Sequence, residues 1–333
     1  MLFCGIDTSN YTTSVALCDE NCKIIANLKI PLPVKDGERG LRQSDAVFAH
    51  IKNLPLITQM LKDAINGNAL TAVAVSATPR DAVDSYMPCF LSGIVAAEML
   101  AAGSKTVLYR TSHQQGHVMA AYATSGAMSD DLLAKYGAFI AFHVSGGTTE
   151  CLMVKPNGSE FDIELIGGTV DLNAGQAIDR IGVAMGLKFP CGPEMERLAL
   201  AYDGAVKGIK TSVKNGSCNL SGLENIALKM ISNGCSDQEV SAFTFEFVAK
   251  TLFKIAENIR SEYGDLPIVW AGGVMSNSII KKRLSELENV YFTEPQYSAD
   301  NAVGVALICR NKHLSETREY KCIISNNQYQ YLS

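Results

Sequence analysis

Residues 2–18 read LFCGIDTSNYTTSVALC, an apolar run, a polar turn and a second apolar run, and this alternation decides how the rest of the chain folds. LFCGID is apolar up to Asp7, TSNYTT is rich in hydroxyls, and SVALC and KIIANLKI (residues 23–30) return to apolar and β-branched residues. That order predicts strand, turn, strand, strand. The same pattern restarts at residue 138 with AFIAFHV, the small-residue turn SGGTTE, then CLMVK and FDIELIG. Two halves that open alike make an internal repeat.

Downstream of each meander, strands and helices alternate. In the first half Ser44 is expected to cap a helix over about Asp45 to Ala64, bent near Pro55. LTAVAVSA (70–77), a helix over Leu91 to Ala102 and KTVLYR (105–110) follow. In the second half the pattern predicts helices at about Asn173 to Met185, Pro193 to Tyr202 and Asp237 to Glu262. The strand PIVWAGG (267–273), a helix from Ser276 and a final helix starting near Asp300 complete it. Such alternation predicts mostly parallel or mixed sheets covered on both faces, arranged as two related α/β lobes. The expected division is an N-terminal lobe at 1–110, a C-terminal lobe with inserted helices at 111–310 and a tail at 311–333. The final helix is expected to pack back on the first lobe.

With 333 residues, 47% of them hydrophobic and 19% charged, the chain has the composition of a globular protein large enough for two cores. A net charge of −5 argues against gripping phosphate backbones over a wide surface, so a nucleic-acid substrate would need a local basic patch or a helper protein. Arg39, Arg42 and Lys52 are one candidate patch, better read as a solvated face. The ten cysteines are scattered, without a C-x-x-C, which fits reduced thiols. MLFCGIDTSN lacks the features of a signal peptide, and no apolar run reaches the length of a membrane span. The expectation is a cytoplasmic protein that does not enter a membrane.

Four turns follow strands: Asp7 to Thr13, Ser145 to Thr149, Gly167 to Thr169 and Ala271 to Asn277. Turns at the carboxyl ends of strands gather at one sheet edge and present backbone N–H groups, an arrangement suited to phosphate. One such turn is ordinary; four in a duplicated chain point to nucleotide binding.

TSHQQGH (111–117) places His113 and His117 four residues apart, so on a helix both rings share one face and could bind one cation or simply hydrogen-bond. Gln114 stands where H-E-x-x-H would keep its general base, which removes the metalloprotease reading. Asp300, in SADNAVGVAL, is either a third ligand or the N-cap of the last helix. Asp171 and Asp179, around LNAGQAI, and Glu196, after PCGPEME begins, could accept hydrogen bonds from ribose hydroxyls. Asp171 could equally be an N-cap, and the other two could lie on solvated helix faces.

Taken in order, GIDTS, SHQQGH, HVSGGTTE, GGTVDLNAGQAIDRIGVAMGLKFPCGPEMERLA, WAGGVMSN and ADNAVGVAL resemble the tRNA threonylcarbamoyladenosine synthase, or glycoprotease, family from about Leu2 to Arg310. The resemblance implies the two-lobed, duplicated fold of the acetate kinase, actin and hexokinase class with an inter-lobe nucleotide cleft. It implies one divalent metal, iron or zinc, on His113, His117 and Asp300. It further implies Ser145, Gly146 and Gly147 on the phosphate side of a nucleotide, with Asp171, Gly192, Glu196 and Asn277 around ribose and base. The implied reaction moves a threonylcarbamoyl, or related carbamoyl, group from its AMP anhydride to N6 of adenosine 37 in tRNA. ATP, AMP or the threonylcarbamoyl adenylate would be the ligand, and a small paralogous subunit and an ATPase the partners.

The chain also departs from that pattern. Asn10 and Tyr11 stand where the bacterial synthase has a short acidic run, Thr148 replaces the histidine of SGGHT, and Gln176 replaces the glutamate of AGEAFDK. GERGLRQSD (37–45) differs from the usual VPELASRDH. These changes are those of a divergent paralog, with a non-catalytic nucleotide-binding partner of the synthase as the alternative function.

Overall fold

A computed structural model describes residues 1–9, 11–33, 41–298 and 302–330, with side chains described as far as Thr317. The chain forms two compact units. The first comprises Met1–Ala120, Asn157–Phe161 and Asp300–Ser333, and the second Ala121–Pro156 and Asp162–Ala299.

The elements in chain order are β1 (Leu2–Asp7), β2 (Thr12–Asp19), β3 (Ile24–Pro31), α1 (Gln43–Ile65), β4 (Ala72–Thr78), α2 (Phe90–Ser104), β5 (Val107–Ser112), α3 (His113–Thr124) and α4 (Leu132–Tyr136). They continue with β6 (Phe139–Val144), β7 (Thr149–Asn157), β8 (Glu160–Thr169), α5 (Ala174–Ala184), α6 (Gly192–Leu200), β9 (Ser212–Lys214), β10 (Ser217–Asn219), α7 (Ser221–Ser232) and α8 (Asp237–Tyr263). The last are β11 (Ile268–Ala271), α9 (Ser278–Leu284), β12 (Val290–Phe292), α10 (Pro295–Ser298) and α11 (Val303–Gln330).

In the first unit the sheet order is β3-β2-β1-β4-β5. β1 runs antiparallel to β2 and parallel to β4, and β5 continues the parallel edge. The central strand is buried on both faces, which is why it reads as a continuous apolar run. On one face Cys4, Ile6, Val15 and Leu17 meet Ile57 and Leu61 of α1 and Ala97 and Ala101 of α2. On the other, α11 approaches so closely that a Cβ on Gly5 would lie 2.3 Å from the Ala306 nitrogen.

The second unit repeats the plan. Its sheet order is β12-β11-β6-β7-β8-β10-β9, in which β8-β7-β6-β11-β12 has the connectivity of β3-β2-β1-β4-β5. β6 is antiparallel to β7 and parallel to β11, and β11 is parallel to β12. The single tryptophan, Trp270, is fully buried and stacks on Phe142 at 4.1 Å between ring centroids. α8 packs along this core through Val240, Phe245, Val248, Leu252, Ile255 and Ile259. Ser236 caps it by accepting from the Glu239 amide at 3.2 Å.

Several sequence expectations are corrected. The first long helix starts at Gln43 with Arg42 in the cap position and no side-chain cap, so Ser44 lies inside the first turn. Gly167–Thr169 is no turn. It ends β8 and pairs with β10, Ser217 against Gly168 and Cys218 against Thr169. The sequence pattern predicts none of α4, α7, β9, β10, β12 and α10. β5 pairs with β4 as far as Ser112, and the first unit runs on to Ala120. Within that unit α11 packs on β1. Among the described residues no helix is long and apolar enough to cross a membrane.

Candidate active site

Each unit brings together part of the expected site. In the first, β1 ends at Asp7 and β5 leads directly into α3 at His113, so two parallel-sheet strand ends deliver both residues to one place. His113 Nδ1 lies 2.8 Å from Asp7 Oδ2. Ser76, from β4, donates to the same oxygen at 2.7 Å, while the Ser9 amide donates to Oδ1 at 2.7 Å and the Ser9 hydroxyl donates to it as well. Asp7 is 1% exposed. Burial alone would raise its carboxyl, but the His113 charge and the hydrogen bonds from His113, Ser9 and Ser76 outweigh that and hold it well below the usual carboxylate range.

His117 follows one turn along α3, its ring 4.3 Å from that of His113 and nearly perpendicular to it. Phe90 packs edge-on against His113 at 6.2 Å. Among the described residues no group of three His, Cys, Asp or Glu side chains is arranged to hold a metal. The expected third ligand, Asp300, lies outside the described residues. The pair itself suits a metal. A carboxylate bonded to Nδ1 fixes the His113 tautomer and directs Nε2 outward, the arrangement usual behind metal-bound imidazoles. Two imidazoles match iron or zinc. The backbone N–H of Gln114 donates to the Pro79 carbonyl at 3.0 Å.

In the second unit Gly146, Gly192, Glu196 and Asn277 line one concavity, joined by Gly175, Ile178, Asp179, Pro190, Phe245 and Val274. The SGG turn forms because Ser145 ties it from within: its Oγ accepts from the Gly147 and Thr148 amides at 3.3 and 3.1 Å, and its amide donates to the Thr148 carbonyl at 2.7 Å. The N-terminus of α5 sits directly behind that turn. A Cβ on Gly175 would come within 2.7 Å of the Gly146 nitrogen, so only glycine permits the approach. Across the pocket, Asn277 caps α9 by accepting from the Ile280 amide at 2.9 Å. Glu196 Oε1 accepts from the amide and hydroxyl of Ser278 at 2.7 and 2.5 Å, tying α6 to α9.

Two expected members of the nucleotide set, Ser145 and Gly147, belong to the turn without lining the concavity. Asp171 is elsewhere altogether. Its carboxylate accepts from the amides of Leu172, Leu220 and Ser221 at 2.6, 2.8 and 3.1 Å, so it caps α7 rather than its own helix. Burial pushes its carboxyl up, but these hydrogen bonds prevail and hold it well below the usual range. Asp179 lines the pocket, as Glu196 does. Burial raises its pKa, partly offset by a 2.8 Å bond from the Cys191 amide. Its place beside LNAGQAI at a helix start is the sequence signal for it.

Two duplicated sheets of this connectivity, one carrying a glycine-lined pocket beside helix N-termini, define the nucleotide-binding α/β fold class of actin, hexokinase and acetate kinase. Solved structures agree: the activator of 2-hydroxyisocaproyl-CoA dehydratase from Clostridium difficile with bound ADPNP has a TM-score of 0.54 at 14% identity, over 96% of this chain and 98% of that one. A ROK family glucokinase from Streptomyces griseus in complex with glucose and AMPPNP gives 0.53 at 12% identity, over 93% and 99%. Within that class the chain belongs to the TsaD family, tRNA N6-adenosine threonylcarbamoyltransferase, matched over residues 35–307. The Thermosipho africanus enzyme of that name is 30% identical over 331 residues, covering 92% of this chain and 93% of its own.

Proposed function

We propose that this chain transfers a threonylcarbamoyl, or closely related carbamoyl, group from its AMP anhydride to N6 of adenosine 37 in tRNA. The observation that carries this reading is that Gly146, Gly192, Glu196 and Asn277, from three separate motifs, line one pocket in a member of this transferase family. In that pocket the Gly146 N–H is the amide of the turn left for phosphate, because those of Ser145, Gly147 and Thr148 bond within the turn, and the α5 N-terminus lies behind it. Asp179 is the acceptor for ribose hydroxyls, one of the three carboxylates for which the sequence offers that role. Glu196 and Asn277 shape the opposite wall. The Gly146 N–H and the α5 N-terminus stabilise charge developing on the departing AMP, an electrostatic role that needs no protein nucleophile. A divalent iron or zinc held by His113 and His117, with Asp300 as the expected third ligand, would polarise a phosphate or carbonyl oxygen. Asp7 keeps His113 in one tautomer for that task.

The family's small paralogous subunit and ATPase are the expected partners in tRNA modification. A labelled threonylcarbamoyl adenylate, incubated with the chain, those partners and a tRNA that reads codons beginning with A, is expected to label the tRNA. No labelled tRNA under conditions where an authentic synthase works would remove the reading.

The second reading, a nucleotide-binding paralog without transfer, is favoured by Thr148 and Gln176, which replace an imidazole and a carboxylate of the family pattern. It predicts nucleotide binding without turnover and failure to rescue a strain lacking the synthase.

A further inference from the structure

The chain carries a net charge of −5, so a polyanion as large as tRNA must meet a local cluster of cations. Most cationic side chains with described partners are already engaged. On α9, Lys281 lies over the Phe292 ring at 5.1 Å, and Arg283 lies over Phe253 at 5.0 Å and bonds Glu286 at 2.7 Å. Arg180, Arg197 and Arg110 pair with Glu224, Glu194 and Glu98. Lys52 lies over Phe48 at 5.3 Å.

The segment 203–214, DGAVKGIKTSVK, is different. Lys207, Lys210 and Lys214 are all exposed, and Asp203 is the one acidic residue among these twelve. None of the three lysines is in an ion pair among the described residues. Their backbone is nevertheless fixed. Val206, Ile209 and Val213 alternate with the lysines and pack against the core of the second unit. Lys250 on α8 donates to the Ile209 carbonyl at 3.1 Å from beneath, which adds a fourth positive charge under the loop. β9 then closes the segment by pairing with β10. Apolar residues that anchor and lysines that point outward give a row of unpaired cations without the entropy of a floppy tail.

The segment also follows α6 directly. That helix carries Gly192 of the pocket at its start and Glu196 at its middle, so its end lies roughly 12 Å along the axis from the first and about 6 Å from the second, at about 1.5 Å per residue.

We propose that the 203–214 loop is a docking surface for the sugar-phosphate backbone of RNA, with Lys207, Lys210 and Lys214 as phosphate contacts. This rests on the tRNA-transfer reading above and assigns the substrate's contact surface on the second unit. Three lysines of this kind supply affinity and placement; they do not read sequence.

The test compares the full wild-type chain with Lys207→Ala/Lys210→Ala/Lys214→Ala and with the triple Lys→Arg variant. Transcribed tRNA binding is followed across a salt series, with AMP binding and thermal unfolding as checks that the pocket and fold persist. The Ala variant is expected to bind tRNA about ten-fold or more weakly, with a log–log salt slope smaller by about 2 to 3, while AMP affinity is unchanged and the Arg variant behaves as wild type. Unchanged tRNA affinity and slope in the Ala variant, with wild type still modifying tRNA, overturns the docking surface and leaves the transfer reading intact. Loss of partner-subunit binding with normal tRNA binding overturns it in favour of a protein contact. Wild type that neither binds nor modifies tRNA overturns both.

Discussion

His113 Nδ1 sits 2.8 Å from a carboxylate oxygen of Asp7, a residue 106 positions earlier in the chain and almost fully buried. Through this bond the end of β1 sets the orientation of the first ring of the histidine pair. Asp7→Asn is therefore expected to weaken binding of zinc or cobalt by about 10- to 100-fold, the range found when the carboxylate behind a ligating histidine is lost. Metal titration of the purified variant, with thermal unfolding as a fold control, checks this. Wild-type affinity in the variant would show that the pair binds no metal through His113.

Asp179, rather than Asp171, is expected to govern nucleotide affinity. Asp179→Asn should weaken AMP binding by about ten-fold, the worth of one charge-assisted hydrogen bond at roughly 1.5 kcal/mol, while Asp171→Asn should leave it near wild type. Calorimetry on both variants separates them. A larger loss in the Asp171 variant would return the ribose role to that residue.

The raised pKa of Asp179 gives this affinity a pH signature. Because the free pocket holds its proton more tightly than an ordinary carboxyl, AMP binding should fall as pH drops, starting above the usual carboxylate pKa of about 4. Asp179→Asn should flatten that limb of the profile.

Asp171 contributes to stability in the opposite sense. Its carboxyl is depressed in the folded chain, so its contribution is complete above the unfolded pKa of about 4 and is lost as pH falls below it toward the folded value. Unfolding midpoints measured from pH 6 down to pH 3 should fall more steeply for wild type than for Asp171→Asn. Parallel curves would show that the cap on α7 carries no net charge effect.

Gly175→Ala would put a methyl group 2.7 Å from the Gly146 nitrogen, where backbone must move. The expected cost is about 1–3 kcal/mol of stability, as for other overpacked sites, with loss of AMP binding because the SGG turn is displaced. Thermal melts and AMP titration of the variant test both parts.

Much of this protein is legible in its sequence. The apolar run, polar turn and apolar run at residues 2–18, repeated from residue 138, determined two sheets of one design, because strand burial writes itself into consecutive apolar residues. The glycine turn after β6 and the histidine pair on α3 are likewise local, since their partners lie within a few residues. Gly167 to Thr169 misled because a glycine pair in a strand looks the same as one in a turn; only pairing with β10, about fifty residues later, distinguishes them.

What the tertiary structure alone decided are contacts between residues far apart. Asp171 and Asp179 stand eight positions apart with similar neighbours, and nothing local says which faces the pocket. The amides of Leu220 and Ser221 claim Asp171, and the Cys191 turn holds Asp179 at the pocket wall. Asp7 became the partner of His113 for the same reason: parallel strands β1, β4 and β5 end side by side, and only their pairing puts residues 7, 76 and 113 together. Sequence determines what each segment can be; hydrogen bonds between segments determine which carboxylate faces the pocket.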